Sequence, residues 1–284
     1  MLGVVPLSMT RVSPNIGLSA PDPSLDSEPC DGKQTSQEDI PMPIPPSRWS
    51  VDLFRVWARQ YPDNQVGNIA SEAVGEGLNP GFVGKMMKSV IRPNPSSICG
   101  QEEAIRDELI SEVEAGRIAG PFTRPPCAYY RNCPLRMIRK EPHVPDSTKM
   151  RLISNFSSGK FSVHGLSSVN DLCATPNLVG FHLKPQHLRD VIASKGKGCS
   201  VWASDIPKCF RGQRNLKELL RLFVYTINTS SRPQEFFVDL CNPFGWTPAE
   251  YSWQCILAVL LWRFRLDGVT ELMAYVDNFP SFRL

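Results

Sequence analysis

Hydrophobic residues recur along this chain with two different periods, and each period predicts a different secondary structure. Within residues 101–115, Ile105, Leu109 and Val113 recur every four residues, which indicates an amphipathic helix. Residues 247–266 are apolar almost throughout and contain no glycine, which favours a buried helix. The pattern therefore predicts two substantial helices.

Shorter apolar runs, rich in alternating or β-branched residues, predict strands in the second half of the chain. These runs are residues 150–156, 200–206, 222–228, 235–240 and 272–276. The sequence Thr-Ser-Ser-Arg-Pro at 229–233 separates two of them and predicts a β-hairpin. Helices dominate the first half, and a strand, a hairpin, a helix and a strand follow. This order predicts an α/β (α+β) fold in which a sheet is backed by helices.

Composition divides the chain into four regions. Residues 1–48 hold nine prolines and seven serines without a sustained period, which predicts a disordered tail because too little apolar surface can be buried. A helical N-terminal region is expected over 49–120, and a region that begins rich in proline and basic residues over 121–198. Residues 199–284 hold most of the predicted strands and the apolar helix.

The formal net charge of +3 is unevenly distributed. Residues 1–48 contain three Lys or Arg and six Asp or Glu, so the rest of the chain has a net charge of +6. That surplus permits a nucleic-acid partner but does not require one.

The nine cysteines are scattered and include no Cys-x-x-Cys pair, and the four histidines complete no zinc pattern. Reduced thiols in an intracellular protein are expected, with nucleus and cytoplasm not distinguished. The longest apolar run, 255–262, is too short to span a bilayer, so no membrane association is expected. No secretory signal is recognised at the N-terminus.

Two aspartates stand at the ends of predicted strands. Asp205 closes the strand at 200–206, and Asp277 follows the strand at 272–276. Short carboxylates on neighbouring strands suit a pair of Mg²⁺ or Mn²⁺ ions in phosphoryl transfer. The ordinary alternative is that each aspartate forms a turn or caps a helix.

A proline-aromatic-glycine turn lies between the two aspartates. Phe244 and Gly245 precede the apolar helix, and glycine permits a close approach of the backbone to a sugar or base pair. Thr247 is predicted as the N-cap, with Pro248 at the favoured first helical position, N1. A plain strand-to-helix turn is the alternative.

Residues 131–160 contain seven Lys or Arg and two acidic residues. Lys149 and Arg151 flank the start of a predicted strand, where cationic side chains suit triphosphate oxygens or a template backbone. A solvated basic face is the alternative for most of these residues. Arg151 stands out because it lies at the edge of an otherwise apolar strand.

In this order, the motifs resemble those of the reverse transcriptases of retroelements over residues 50–284. The likeness is greatest to the DIRS-like retrotransposons, which encode a tyrosine recombinase. Asp205 is similar to the first catalytic aspartate, and Phe210 to the aromatic gate that excludes a ribose 2′-hydroxyl. Phe244-Gly245 resembles the motif beneath the nascent pair. Residues 275–278, Tyr-Val-Asp-Asn, resemble the Tyr-x-Asp-Asp hairpin, which makes Asp277 and Asn278 the other catalytic positions.

Upstream residues extend the resemblance. Residues 146–153 are similar to the fingers hairpin, in which Arg151 would contact the incoming nucleotide. Lys140 is similar in position to the lysine that reaches the triphosphate. Residues 112–122 and 81–84 also resemble the DIRS group.

The resemblance implies a polymerase palm-and-fingers fragment with a ferredoxin-like palm sheet backed by helices. Residues 121–198 would be fingers-like, and 199–284 would form a palm truncated after the catalytic hairpin. The implied activity is RNA-directed DNA synthesis with two Mg²⁺ ions, or Mn²⁺. The implied partners are an RNA or DNA template with its primer, and deoxynucleoside triphosphates. The oligomeric state stays open.

The chain departs from the family pattern at several positions. Asn278 replaces the second aspartate of the hairpin, Lys208 places a cation near Asp205, and Glu250 stands where a small or apolar residue is usual. The thumb of the family would follow Leu284. Weak or absent activity is therefore expected. A non-catalytic nucleic-acid-binding or vestigial retroelement remnant is the alternative function, and an unrelated α/β protein is a further alternative.

Overall fold

The computed structural model describes residues 38–47, 49–77, 82, 89–140, 143, 150–158, 168–173, 185–269, 272–274 and 276–283. Its α-helices are α1 (Val51–Gln60), α2 (Asn64–Gly75), α3 (Glu102–Glu114), α4 (Pro185–Lys195) and α5 (Thr247–Leu266). Its strands are β1 (Ile118–Phe122), β2 (Leu135–Arg139), β3 (Met150–Ser154), β4 (Ser200–Asp205), β5 (Val224–Thr229), β6 (Arg232–Asp239) and β7 (Asn278–Arg283). Antiparallel pairing joins them as β1-β6-β5, β2-β3 and β4-β7. Small antiparallel sheets with packed helices confirm the α+β class.

Helix α5 lies at the centre of the main hydrophobic core. Its residues from Tyr251 to Leu261 are all buried, because a helix that is apolar on every side must be covered on every side. Helix α2 packs against it, and α1 packs against α2. The close approach of α1 and α2 requires Gly67, where an added Cβ would lie 2.3 Å from the carbonyl oxygen of Ala58.

The predicted bounds of α5 are confirmed, but its predicted cap is wrong. Thr247 is the first helical residue, and Trp246 occupies the N-cap position without a capping side chain. The Thr247 backbone N–H instead donates to the side-chain oxygen of Asn170 at 3.0 Å. Asn170, which is distant in sequence, therefore accepts the hydrogen bond of a backbone N–H that a local N-cap side chain could otherwise accept.

The other strong periodicities also give the predicted elements. Helix α3 covers the predicted 101–115 segment, with Ile105 and Leu109 fully buried beneath it. Strands β5 and β6 form the predicted hairpin, with a shorter connection than expected because Thr229 already pairs with Arg232. Helix α3 packs against β5 of this hairpin and against β1.

Strand β4 has the predicted position, and neither of its faces is buried. All six of its residues are exposed. Val201 is 47% exposed and Trp202 is 66% exposed. The reason lies in the pairing, since β4 joins only β7 in a two-stranded sheet among the described residues.

The segment at 38–47 lies against the folded region. The Ile40 N–H donates to the Pro126 carbonyl at 2.8 Å, and the Asp39 carboxylate accepts from the Ala128 N–H at 2.8 Å. Pro45 is buried. Contacts with the fold therefore begin before residue 48, the boundary predicted for the disordered tail. The rest of that predicted tail, residues 1–37 and 48, lies outside the described residues.

A buried ion pair crosses the core between the loop after β4 and the end of β6. The Arg211 guanidinium donates to both carboxylate oxygens of Asp239, at 2.6 and 2.7 Å. The Tyr225 hydroxyl also donates to Asp239, at 2.8 Å, as does the Cys241 backbone N–H at 3.2 Å. This carboxylate is therefore fully hydrogen-bonded, as a buried charge must be.

Candidate active site

The two aspartates predicted as metal ligands lie at the adjoining ends of two paired strands, since Asp205 is the last residue of β4 and Asp277 directly precedes β7. In the β4–β7 ladder Asp205 pairs with Asn278, and the Ile206 N–H donates to the Asp277 carbonyl at 2.9 Å. Paired strands in a sheet lie about 5 Å apart, so the backbones of Asp205 and Asp277 are adjacent. Asp205 is exposed and Asp277 is half-buried. Both carboxylates therefore belong to one end of one small sheet.

The chain folds back on itself at Asp277, but the strand lies after the turn and not before it. Within the described part of the predicted 272–276 strand, an isolated bridge joins Leu272 to Ser281, and the Met273 N–H donates to the Pro280 carbonyl at 3.0 Å. The segment at 272–274, β7 and β4 thus lie side by side. Tyr275, the first residue of the hairpin motif, lies outside the described residues.

The pKa of Cys209 reflects the charges at this end of the sheet. Burial raises the pKa of the Cys209 thiol to about 12, with further contributions from the negative charges of Asp277 and Asp205. Both carboxylates therefore act on the same buried sulfur atom. The thiol therefore stays neutral at physiological pH in the unliganded chain.

The predicted gate residue lies beneath another aromatic ring. Phe210 is only 6% exposed, and its ring packs edge-to-face on Phe244 with the centroids 4.7 Å apart. Phe244 is 52% exposed and covers it. The sequence suggested Phe210 as the ring that meets the sugar, but the accessible ring at this position is Phe244.

The turn that holds Phe244 depends on a glycine. Gly245 has a φ of +89°, and an added Cβ would lie 3.0 Å from the carbonyl oxygen of Ser154, the last residue of β3. Only glycine adopts this conformation without strain. The Asn170 side chain also donates to the Gly245 carbonyl at 2.9 Å. The end of β3 therefore lies close to this turn.

The predicted triphosphate ligands lie on that same hairpin. Arg151, on β3, pairs with Ile138 of β2, and Lys140 follows the end of β2. Both side chains are exposed and therefore available to an anion. Residues 144–149, which complete the predicted fingers hairpin and include Lys149, lie outside the described residues.

Lys208 does not point at the aspartates, contrary to what its position near Asp205 suggests. Its ammonium group lies 2.5 Å from the Glu112 carboxylate, on α3. Glu112 also accepts two hydrogen bonds from Arg117, at 2.7 and 2.8 Å, and one from Arg211 at 3.1 Å. A competing cation is therefore held away from the candidate metal ligands.

Sequence reasoning missed Glu112 and Trp253 as parts of this site. Glu112 entered only as the first residue of the 112–122 segment, and no local pattern distinguished it as a carboxylate that binds three cations. Trp253 looked like one more apolar residue of a buried helix, yet its indole N–H donates to the Val276 carbonyl at 2.5 Å. Contacts such as these join segments far apart in the chain, so the local pattern does not contain them.

Glu112 predicts a specific dependence of stability on acid pH. Burial raises the pKa of Glu112, but the Arg117 hydrogen bonds and the charges of Arg211 and Lys208 outweigh burial and hold the pKa well below the ordinary 4.5. The stability that it contributes is therefore complete above about pH 5 and lost as the pH falls towards the folded-state pKa. Urea unfolding between pH 7 and 3 should show a flatter acid decline for Glu112→Gln than for the unmodified chain.

The matched control for that experiment is Glu114→Gln, an exposed glutamate at the end of the same helix. Its acid decline should follow that of the unmodified chain. Equal pH dependence in the Glu112→Gln and unmodified chains would contradict the assignment of an ionised, ion-paired Glu112.

The donor set suits a hard divalent cation in kind, though it is small. Asp205 and Asp277 supply carboxylates and Asn278 an amide oxygen, and Mg²⁺ in proteins takes one or two carboxylates together with substrate phosphates. The Asn278 amide N–H donates to Asp277 at 2.9 Å, so it already orders one of these carboxylates. Among the described residues, no group of three or more His, Cys, Asp or Glu side chains could hold a metal ion.

Comparisons with known proteins and with membrane-spanning patterns add two findings. No helix in the described part of the chain is long and apolar enough to cross a membrane. No protein-family model matches the chain, and no curated protein matches its sequence.

Proposed function

We propose that this chain carries a reverse-transcriptase site, which adds deoxynucleotides to a primer 3′-hydroxyl under the direction of an RNA or DNA template. The observation that supports this most is the β4–β7 pairing, in which Asp205 lies opposite Asn278 and the Ile206 N–H donates to the Asp277 carbonyl, so that the backbones of the two aspartates are close. Two carboxylates at the adjoining ends of paired strands, beside a turn, suit a two-metal phosphoryl-transfer site. The Phe244-Gly245 turn contacts the segment after β4 through the packing of Phe244 on Phe210.

Each side chain of the proposed site has a separate role. Asp205 and Asp277 would hold two Mg²⁺ ions, which supply the positive charge that phosphoryl transfer requires. Arg151 and Lys140 bind the triphosphate oxygens, for which exposed cations on a hairpin have the necessary reach. Phe244, with Phe210 behind it, contacts the sugar, and the glycine turn supports the nascent pair.

Asn278 makes this a slow enzyme. Its amide has no negative charge, so the site neutralises less of the charge of two dications than a pair of aspartates at 277 and 278 would. Loss of one electrostatic group typically lowers a rate by about 10²–10³. The expected activity is therefore weak and is best measured over a single turnover with enzyme in excess.

The test is extension of a labelled primer on an RNA template by the 284-residue chain, with Mg²⁺ and with Mn²⁺. Only the nucleotide complementary to the template base should be incorporated, and chelation with EDTA should abolish the product. Incorporation without template direction, or none with either cation, would exclude polymerisation by this chain.

Non-catalytic nucleic-acid binding is the second candidate function, and the exposed aromatic rings favour it. Phe244 and Trp202 are 52% and 66% exposed, on elements that flank the aspartates. Aromatic rings stack on bases with little preference for sequence. This candidate requires the surface around the aspartates but not the metal ions.

Phe244→Ala is expected to weaken binding of a labelled single-stranded oligonucleotide by about 1–3 kcal/mol, the usual value of one stacked base. Fluorescence anisotropy at fixed ionic strength measures this directly. Phe264→Ala is the matched control, since Phe264 is also an exposed phenylalanine, at 38%, but lies near the end of α5. Equal losses in both variants would remove Phe244 from the interface.

A further inference from the structure

Both aspartates are flanked by backbone in a left-handed conformation. Lys208 and Val276 each have a φ of +53°, and they are the non-glycine residues with positive φ among those described. Such values are uncommon for residues with a Cβ, and for a β-branched residue such as valine they indicate strain. Strained residues persist only where surrounding contacts enforce them, and they cluster at functional sites.

The contact that enforces the turn at Val276 comes from α5. The Trp253 indole N–H donates to the Val276 carbonyl at 2.5 Å, and the tryptophan itself is fully buried. Its ring lies between those of Phe210 and Trp49, with centroids 6.5 and 6.3 Å away. The donor is therefore held rigidly, and it fixes the peptide that leads directly into Asp277.

The contact that enforces the turn at Lys208 comes from α3. Its ammonium group is bound to Glu112, and Arg117 and Arg211 hold the Glu112 carboxylate in turn. This anchor fixes the chain as it reverses three residues after Asp205. Each aspartate thus has its own tether, and the two tethers come from different helices.

We propose that Trp253 and Glu112 are positioning residues, which hold the left-handed turns at Val276 and Lys208 and so keep Asp277 and Asp205 in a cation-binding arrangement. The inference rests on the proposed function, because it concerns the same two carboxylates. Neither residue contacts the reacting groups, so each acts through the turn that it restrains.

The test is the affinity of the full chain for Mn²⁺, and it requires no turnover. Electron paramagnetic resonance measures this affinity, because the signal of free Mn²⁺ is lost when the ion binds. Trp253→Phe keeps an aromatic ring but removes the N–H donor. It should weaken Mn²⁺ binding by about tenfold, at the lower end of the 10–100-fold typical of residues that orient metal ligands. Trp262→Phe, on the same helix but packed edge-to-face on Tyr61, should leave the affinity unchanged.

A second substitution separates positioning from general packing. Val276→Gly allows the left-handed turn without strain, so the turn no longer depends on the tether. In that background Trp253→Phe should cause a clearly smaller loss of Mn²⁺ affinity than in the native background. An equal loss in both backgrounds would show that Trp253 acts through packing alone, and would overturn the proposal.

Lys208→Met should change the cation affinity in opposite directions, depending on whether Lys208 anchors the turn or is merely a nearby charge. If Lys208 were merely a nearby positive charge, its removal would tighten cation binding. If it anchors the turn, its removal should weaken binding, and tighter or unchanged binding overturns that half of the proposal. The lysine side chain is 47% exposed, so Lys208→Met should fold. It therefore tests this half of the proposal even if circular dichroism shows that Trp253→Phe is unfolded.

Asp205→Ala distinguishes a failure of this inference from a failure of the proposed function. The proposed metal site is wrong if the unmodified chain binds no Mn²⁺, or if the unmodified chain and Asp205→Ala bind Mn²⁺ with the same affinity. The positioning roles are then wrong as well. If Asp205→Ala abolishes binding while Trp253→Phe matches Trp262→Phe and Lys208→Met matches the unmodified chain, only the positioning roles are wrong.

Discussion

Replacement of Asp239 by alanine is expected to lower the free energy of unfolding by about 3–5 kcal/mol, the usual cost of leaving a buried charge without its partner. Arg211 and Asp239 are both buried, and the guanidinium donates two hydrogen bonds of 2.6 and 2.7 Å to the carboxylate. Glu112 also contacts Arg211, at 3.1 Å, but is already shared with Arg117 and Lys208. Without Asp239, the buried guanidinium keeps the Cys241 carbonyl, at 3.2 Å, and its share of Glu112, which compensate for only part of the lost carboxylate.

Urea unfolding followed by far-ultraviolet circular dichroism measures this loss. The matched control is Asp267→Ala, which breaks the pair between Arg263 and Asp267 at the end of α5, where the carboxylate is 48% exposed. Exposed pairs on one helix contribute only about 0.3–0.5 kcal/mol. A similar loss in both variants would mean that the Arg211 charge is not isolated in the core.

Asp205→Ala is expected to lower the single-turnover rate of primer extension by at least about 10²–10³, because it removes one of two carboxylates that neutralise dications in phosphoryl transfer. Asp205 is exposed at the end of β4, so the substitution should leave folding almost unchanged. The loss should therefore appear in the rate and in Mn²⁺ binding, not in the unfolding transition.

Asp107→Ala is the control for that substitution, since Asp107 is an exposed aspartate on α3. It should extend primers at the rate of the unmodified chain. Template-directed synthesis that survives Asp205→Ala would show that the reaction uses other ligands, and the assignment of the catalytic site would have to be abandoned.

Much of the local architecture follows from short-range pattern. Helix α3 and helix α5 arise where apolar residues recur at helical spacing or fill every face, and the β5–β6 hairpin arises where a loop signal separates two β-branched runs. Strand β4 was also predicted in place. Each of these elements depends on periodicities of a few residues, which can be read without knowledge of the fold.

The candidate site was predictable only as a set of residues in order. The order of Asp205, the Phe244-Gly245 turn and Asp277 led to the expectation of a shared sheet, and β4 does pair with the strand that begins at Asn278. The predicted roles of these residues in DNA synthesis stay predictions. So do those of Arg151 and Lys140, on the hairpin whose strand β3 ends at Ser154, close to Gly245.

The surroundings of the aspartates depend on contacts between distant segments. Phe244 packs on Phe210, the Lys208 ammonium binds Glu112, 96 residues away in sequence, and the Trp253 indole N–H donates to Val276, 23 residues away. Periodicity fixes which face of an element is apolar, because that depends on the geometry of a single element. Which partner meets that face depends on how several elements pack at once, and only the packed fold contains that information.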